Sequence, residues 1–154
     1  IDDRVFERTN AALVGRPTVM EGRKEMTLHE GMHSLGTDIF IDLRNTAYRI
    51  EAQVEVGANA NGALVCQGGR FGGLSFYLLD GKPAFTYNCL GLETTTIIAD
   101  TALEAGEHTL VYDFAYAGGG PGKGGVGTLT VDGKEVGRGE LARTQPGIFS
   151  VDDL

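Results

Sequence analysis

Glycine residues placed between alternating segments constrain the fold of this chain more than any other feature. The chain has 24 glycines in 154 residues, roughly twice the share of about 7% found in ordinary proteins. Tyr48–Val56 and residues 108–116 alternate between apolar and polar side chains, a period that predicts half-buried strands. Glycines between such segments are typical of turns, so the chain has the pattern of a many-stranded protein.

Two Asp-Gly-Lys tripeptides are the clearest turn signals. Residues 80–82 and 132–134 each separate two strand-like segments. An Asp-Gly pair readily takes the positive φ angles of a type I′ turn, whose twist matches that of the flanking strands. Each tripeptide therefore predicts a β-hairpin.

These patterns predict an all-β fold of about ten strands with no helix. The short apolar runs 26–28 and 39–43 are included among the strands. Strands at this spacing favour a two-sheet antiparallel β-sandwich of the jelly-roll, concanavalin-like or laminin-G-like kind. Residues 1–23 are polar and irregular and are predicted to be a linker, so the sandwich is predicted to span residues 24–154.

The charge balance excludes some partners. A formal net charge of −8 and a pI near 4.8 give an acidic surface, which repels phosphate backbones, so we expect no nucleic-acid partner. No apolar run approaches the roughly 18 residues that cross a bilayer, so no membrane partner is expected either. The chain begins at Ile1 and not at methionine, which favours a processed chain or a fragment of a longer one.

The two cysteines have no obvious chemical role. Cys66 and Cys89 both lie in apolar, strand-like runs, which favours two buried thiols. A disulfide between them is the alternative. Neither belongs to a C-x-x-C pair, so redox and zinc chemistry are not expected.

The glycine-rich run 118–125 and the histidines do not predict a phosphate or metal site. A Walker loop would need glycine at Ala117, a hydroxyl residue at Gly124 and a following helix, whereas a strand-like segment follows. The run is therefore predicted to be a long hairpin connection. His29 and His33 lack a helical stripe or a zinc motif around them, and no metal site is predicted there.

Carboxylates in the turns leave one metal hypothesis open. Asp80 and Asp132 could bind calcium, but the hairpin turns already account for both residues. Ahead of both in the chain, the run 67–74 combines glycines with Arg70 and Phe71, which could face an anionic or sugar ligand. The alternative is that Arg70 pairs with an acid inside the domain.

Several motifs follow one another in a fixed order along the whole chain. They are the opening residues 2–4, 7–8 and 15–17, then residues 67–78, 80–83, 87–93, 118–125, 131–134 and 143–146. In this order they resemble the segment that leaves the catalytic domain, and the C-terminal region that follows it, in bacterial arylsulfatase-type sulfatases of the alkaline-phosphatase-like superfamily. The resemblance implies that residues 1–23 lead out of a catalytic domain that this chain does not contain.

The resemblance implies membership of the family, but the residues of the family's active site do not occur in this chain. Sulfatases cleave sulfate esters with a formylglycine made from the cysteine or serine of a C/S-x-P-x-R motif, beside a divalent metal such as calcium. Neither Cys66 nor Cys89 has a proline two residues later. The parent protein is therefore expected to hold the formylglycine and the metal, and no catalytic residue or cofactor is expected in this chain.

Two functions are expected from these observations. The first is a non-catalytic accessory domain that packs on the parent's catalytic domain, which it stabilises or whose substrate access it shapes. The alternative is a lectin-like module that binds sulfated glycans, with Arg70, Tyr87, Asn88 and Lys123 as candidate contacts. Catalysis by the chain alone has no support among its residues, and the sequence does not decide between a periplasmic, secreted or cytoplasmic location.

Overall fold

The computed structural model describes residues 19–20, 22–36, 39–69 and 72–147. The chain divides into two units, one of residues 1–42 with residue 154 and the other of residues 43–153. In the first unit the described residues form turns, such as the one closed by the Met32 amide donating to the His29 carbonyl at 3.2 Å. Nowhere in the described parts of the chain is there a helix long and apolar enough to cross a membrane.

Eight antiparallel strands form two sheets in the second unit. The strands are β1 Tyr48–Val56, β2 Gly62–Gly69, β3 Gly72–Leu79, β4 Lys82–Cys89, β5 Glu93–Ile98, β6 Gly106–Tyr116, β7 Lys123–Val131 and β8 Lys134–Arg143. Sheet 1 has the order β1-β6-β7-β8 and sheet 2 has the order β2-β3-β4-β5, so the all-β, two-sheet prediction is confirmed. After β1 the chain builds the whole of sheet 2 and then returns to pair β6 with β1.

The prediction of about ten strands was too high for the residues described. Runs 26–28 and 39–43 contain apolar side chains, but neither forms a strand. A strand requires a neighbour that takes up its backbone hydrogen bonds, and a short apolar run does not supply one. Strand pairing begins at Tyr48, well after the predicted domain boundary at residue 24.

Both predicted Asp-Gly hairpins are confirmed. Asp80 and Gly81 have φ angles of 50° and 75°, and they join β3 to β4. Asp132 and Gly133 have φ angles of 49° and 81°, and they join β7 to β8. Two consecutive positive φ angles are the signature of the type I′ turn that the tripeptides predicted.

The core lies between the inner faces of the two sheets. At its centre the Phe85 ring of sheet 2 stacks on the Tyr112 ring of sheet 1, with centroids 3.5 Å apart and planes 8° from parallel. Every second residue of the strands points inward, as the alternation predicted. The buried cluster comprises Val56, Leu74, Phe76, Leu78, Phe85, Tyr87, Cys89, Ile97, Leu110, Tyr112, Phe114, Leu129 and Leu141.

Glycines on the inner face of β7 and β8 make room for these large side chains. A Cβ atom at Gly127 would lie 2.4 Å from the Tyr112 hydroxyl and 2.7 Å from Ile97 Cδ1. A Cβ atom at Gly139, which pairs with Gly127, would lie 2.8 Å from Ile97 Cγ1. Ile97 of sheet 2 therefore occupies the space that these two glycines leave in sheet 1.

We expect Gly127→Ala to destabilise the domain by about 1–3 kcal/mol, because the new methyl group would have to displace Tyr112 and Ile97. Urea unfolding monitored by circular dichroism measures this change. The matched control is Gly57→Ala, where a Cβ atom would meet nothing within 4 Å. Equal stability of the two variants would contradict the packing described.

Candidate functional site

Tyr87 does not belong to a ligand site at the surface. Its side chain is 3% exposed and lies in the core cluster, and its hydroxyl accepts a hydrogen bond from the Gln145 amide at 2.8 Å. Burial raises the pKa of Tyr87 to about 12. Because neighbouring residues of a strand point to opposite faces, Tyr87 and Asn88 cannot contact the same surface ligand, and we remove Tyr87 from the candidate contacts.

Asn88 lies on the outer face of sheet 2, and its side chain hydrogen-bonds to the backbone at two places where the chain leaves a strand. Its Nδ2 donates to the Gly69 carbonyl at 2.9 Å, and its Oδ1 accepts from the Gly91 amide at 2.9 Å. Gly69 ends β2, and Gly91 lies in the turn between β4 and β5. The described contacts of Asn88 therefore hold the backbone at this end of sheet 2.

Lys123 lies in the other sheet from Asn88. Lys123 is exposed at the start of β7 in sheet 1, where it pairs with Arg143. Arg143 Nε in turn donates to Glu93 Oε2 of sheet 2 at 2.9 Å, so Lys123 and the Asn88 turn lie at the same end of the sandwich. Arg70 lies outside the described residues, together with Phe71.

The predicted hairpin connection before Lys123 is confirmed. Residues 117–122 join β6 to β7, and the Ala117 amide donates to the Gly124 carbonyl at 2.9 Å across its base. The Tyr116 hydroxyl donates to the Gly120 carbonyl at 2.6 Å and accepts from the Lys123 amide at 3.0 Å. A strand follows, and not the helix that a phosphate-binding loop requires.

The outer face of sheet 2 carries a row of hydroxyl and thiol groups that the sequence analysis did not identify. Cys66, Ser75, Thr86 and Thr96 stand opposite one another on the four successive strands. The Thr86 hydroxyl lies 3.0 Å from that of Tyr77 and 2.9 Å from that of Thr96. Only the pairing register brings these residues together, because they are spread over four strands of the sequence.

A depression of about 240 Å³ lies beside this row. Gly68 and Gly73 face each other there, and neither position has room for a side chain, because a Cβ atom on either would lie 2.2 Å from a backbone carbonyl oxygen of the opposing strand. Without side chains at these two positions, the surface is recessed. The depression thus offers hydroxyl, amide and backbone groups to solvent. Its lining residues are Cys66, Gln67, Gly68, Gly69, Gly73, Leu74, Ser75, Thr86 and Asn88.

The two outer faces differ sharply in charge. On sheet 1 the outward positions include Arg49, whose guanidinium bonds Asp113 and Glu51, each at 3.0 Å. Further charged outward residues on sheet 1 are Glu55, Glu107, Glu135, Arg138 and Glu140. On sheet 2 the described outward positions include one charged residue, Lys82, which begins β4 directly after the Asp80-Gly81 turn. The others are Ala63, Cys66, Gly68, Gly73, Ser75, Tyr77, Leu79, Ala84, Thr86, Asn88, Thr94, Thr96 and Ile98.

The cysteines differ in their exposure. Both are free thiols, so the disulfide alternative is wrong. Cys89 is buried as predicted, and burial raises the pKa of its thiol. Cys66 is exposed, contrary to the prediction, because it points outward from β2 while Cys89 points inward from β4.

Side chains once considered for metals have other partners. His33 Nδ1 lies 3.1 Å from the Ser34 hydroxyl, and the Asp80 carboxylate accepts a hydrogen bond from Asn61 Nδ2 at 3.4 Å. Within the described ranges, no three His, Cys, Asp or Glu side chains come together in a way that could hold a metal ion.

His108 and Asp132 form a charge pair at the opposite end of the sandwich. His108 Nδ1 lies 2.7 Å from Asp132 Oδ2, and the Thr109 amide donates to Asp132 Oδ1 at 2.8 Å. The hydrogen bond with Asp132 raises the pKa of His108. The bond from Thr109, followed by the bond with His108, lowers the pKa of Asp132.

We expect Asp132→Asn to lower the pKa of His108, because the amide keeps the Thr109 bond but removes the negative charge. The His108 contribution to stability is fully present below its unfolded pKa of about 6.5 and is lost as the pH rises through the raised folded value. The Asp132 contribution is present above its unfolded pKa of about 3.9. The difference in stability between wild type and the variant should therefore be largest between about pH 4 and 6.5.

NMR titration of the His108 imidazole, together with urea unfolding at acidic and alkaline pH, measures this pair. A His108 pKa unchanged in the variant, or a stability difference that grows as the pH rises above about 6.5, would contradict the pairing.

The outer face of sheet 2, which is nearly free of charge, is thus the strongest candidate functional surface among the described residues. What this chain does is inferred from that surface and from the motifs of its sequence. Comparison of the chain with protein-family models, with curated proteins and with solved structures found no match.

Proposed function

We propose that this chain is the non-catalytic C-terminal accessory domain of a bacterial arylsulfatase-type sulfatase. In this proposal the outer face of sheet 2 packs on the parent's own catalytic domain. The observation that carries the proposal is the near absence of charge on this four-stranded face in a chain whose net charge is −8.

The physical support is the cost of desolvating charges. Covering the outer face of sheet 1 would remove Arg49, Glu51 and Asp113 from water, and charged residues are depleted at the centres of protein interfaces for this reason. Covering sheet 2 would bury hydroxyl groups that already bond one another, such as those of Thr86 and Thr96. Leu79 and Ile98, which are 46% and 40% exposed, would contribute apolar area.

The proposed contribution to the enzyme is indirect. The parent's formylglycine and its divalent metal, such as calcium, would hydrolyse the sulfate ester, and this domain would stabilise the catalytic domain or shape substrate access. The finer fold assignment, jelly-roll or concanavalin- or laminin-G-like, is part of the proposal. Two four-stranded antiparallel sheets support it.

We expect the coding sequence upstream of Ile1 to contain an in-frame C/S-x-P-x-R motif. In the whole protein, Thr96→Lys should lower the stability of the accessory domain by about 2 kcal/mol or more, because the docked face would bury an unpaired charge. Thr128→Lys is the matched control, because Thr128 lies on the charged face of sheet 1 between Asp113 and Arg138. Thermal unfolding and hydrolysis of an aryl sulfate measure the two variants.

The same substitutions in this chain alone separate docking from folding. Thr96 is exposed on its strand, so Thr96→Lys should cost the isolated domain no more than its hydroxyl bond with Thr86, about 1 kcal/mol. Absence of the motif upstream, or equal effects of both substitutions in the whole protein, would contradict the proposal.

A second candidate function is a lectin-like module for sulfated glycans. The depression lined by Ser75, Thr86 and Asn88 favours it, because hydroxyl and amide groups pair with sugar hydroxyls. Lys123 lies at the same end of the sandwich as Asn88 and supplies a cation for a sulfate group. Arg70 stays a candidate contact outside the described residues.

We expect Lys123→Gln to weaken binding of a sulfated oligosaccharide by roughly tenfold, which corresponds to about 1.4 kcal/mol. Isothermal titration calorimetry with the sulfated sugar and its desulfated counterpart measures this. Lys134→Gln is the matched control, because Lys134 begins β8 at the opposite end of the sandwich. A flat titration with the wild-type chain would eliminate this candidate.

A further inference from the structure

Asn61 is followed directly by a glycine, whereas the other four asparagines of the chain precede alanine, threonine or cysteine. Asn61 ends the connection from β1 to β2, and Gly62 is the first residue of β2. Both residues are exposed, so water and hydroxide reach them. An Asn-Gly pair places a side-chain amide beside a backbone nitrogen that no neighbouring side chain crowds.

The side-chain amide of Asn61 ties this connection to the Asp80-Gly81 turn. Its Oδ1 accepts a hydrogen bond from the Asp80 amide at 2.8 Å, and its Nδ2 donates to Asp80 Oδ1 at 3.4 Å. The same Nδ2 donates to the Asn59 carbonyl at 2.9 Å. Next to these bonds, the Gly81 amide donates to the Ala60 carbonyl at 2.8 Å. Because Asn61 both donates and accepts here, an ionised carboxylate, which only accepts, cannot replace its amide.

We propose that Asn61 is a site of spontaneous deamidation, and that the reaction loosens the contact between this connection and the Asp80-Gly81 turn. The Gly62 backbone nitrogen loses its proton and attacks Asn61 Cγ, the Cγ–Nδ2 bond breaks, and Nδ2 leaves as ammonia. The product is a cyclic succinimide. Water then adds to one of the two ring carbonyl carbons and returns a proton to the Gly62 nitrogen. Opening at Cγ leaves aspartate, whereas opening at the main-chain carbonyl leaves isoaspartate.

The residue after each asparagine decides which of them reacts. Hydrogen bonds hold the side chains of Asn45 and Asn88 as they hold that of Asn61. What sets Asn61 apart is therefore the glycine that follows it. A side chain on the following residue crowds the attacking nitrogen, and glycine has none.

Deamidation changes the contact with the turn in two ways. The oxygen that replaces Nδ2 no longer donates to the Asn59 carbonyl, and it faces Asp80 Oδ1 as a second anion. The isoaspartate product also lengthens the main chain directly before β2, which begins at Gly62. Both products therefore oppose the bonds that hold the connection against the turn.

This inference does not rest on either proposed function. It requires neither a parent catalytic domain nor a glycan, because the reacting groups all belong to Asn61 and Gly62. Its tests and those of the proposed functions therefore fail separately.

Incubation of the full chain at mildly alkaline pH, followed by peptide mapping with mass spectrometry, tests the site. We expect Asn61 to convert at least about ten times faster than Asn45, Asn59 or Asn88, a difference of about 1.4 kcal/mol in the barrier. Labelling with an isoaspartyl methyltransferase identifies the isoaspartate. An Asn61 that keeps its amide, or four asparagines that convert at equal rates, overturns the proposal.

Two variants show whether Gly62 controls the reaction. Gly62→Ala should slow conversion of Asn61 by about tenfold or more, and a Cβ atom there would meet nothing within 4 Å. Gly57→Ala, which also places its Cβ atom in open space, is the matched control and should convert as wild type does. Asn61→Gln keeps a side-chain amide but needs a larger ring, so it should stay unmodified.

Two outcomes of these variants count against the reaction. One is conversion at the wild-type rate in a Gly62→Ala variant whose circular dichroism spectrum matches that of wild type. The other, which does not depend on Gly62→Ala folding, is an Asn61→Gln variant that loses its amide as fast as wild type. Either result overturns attack by the Gly62 nitrogen.

Urea unfolding of Asn61→Asp, which reproduces one product, tests the loosened contact. We expect a lower urea midpoint than wild type at neutral pH. The difference should shrink at about pH 3, where protonation removes the repulsion, because the ordinary pKa of aspartate is about 3.9. Asn59→Asp is the matched control, since it adds the same charge to the same connection and leaves the Asn61 amide in place. An Asn61→Asp midpoint equal to that of wild type, or to that of Asn59→Asp, overturns the loosening.

Discussion

The packing of Ile97 and Tyr112 against paired glycines is the contact on which the domain depends. Gly127 and Gly139 stand opposite each other in sheet 1, and Ile97 of sheet 2 fills the space above them. Tyr112 lies over Gly127 and stacks on Phe85 from the other sheet. The glycines that define turns elsewhere in the chain here serve a different purpose, because they let large side chains from both sheets share one layer.

Once the two sheets close on this core, the alternation of each strand decides what faces outward. Sheet 1 presents ion pairs such as Arg49 with Asp113, whereas sheet 2 presents the hydroxyl groups of Thr86 and Thr96. This asymmetry supports the accessory-domain proposal. A face with almost no charge can dock on another domain at low desolvation cost.

The predicted site and the observed surface overlap in part. Tyr87 and Asn88 were both predicted as ligand contacts, yet only Asn88 faces outward, where it bonds the Gly69 and Gly91 backbone. Lys123 lies in the other sheet, at the same end. Ser75 and Thr86 were missed, since a single small polar residue in a strand carries no signal until pairing places it beside others.

The sequence by itself determined the local features: strand periodicity, the two Asp-Gly turns and the all-β class. These depend on side-chain alternation and on φ angles at single residues, which neighbours along the chain control. The tertiary structure decided that runs 26–28 and 39–43 are not strands, that Cys66 is exposed, and that one sheet face carries almost no charge. Those features depend on which strands pair and which faces are buried, and contacts between residues distant in the sequence settle both.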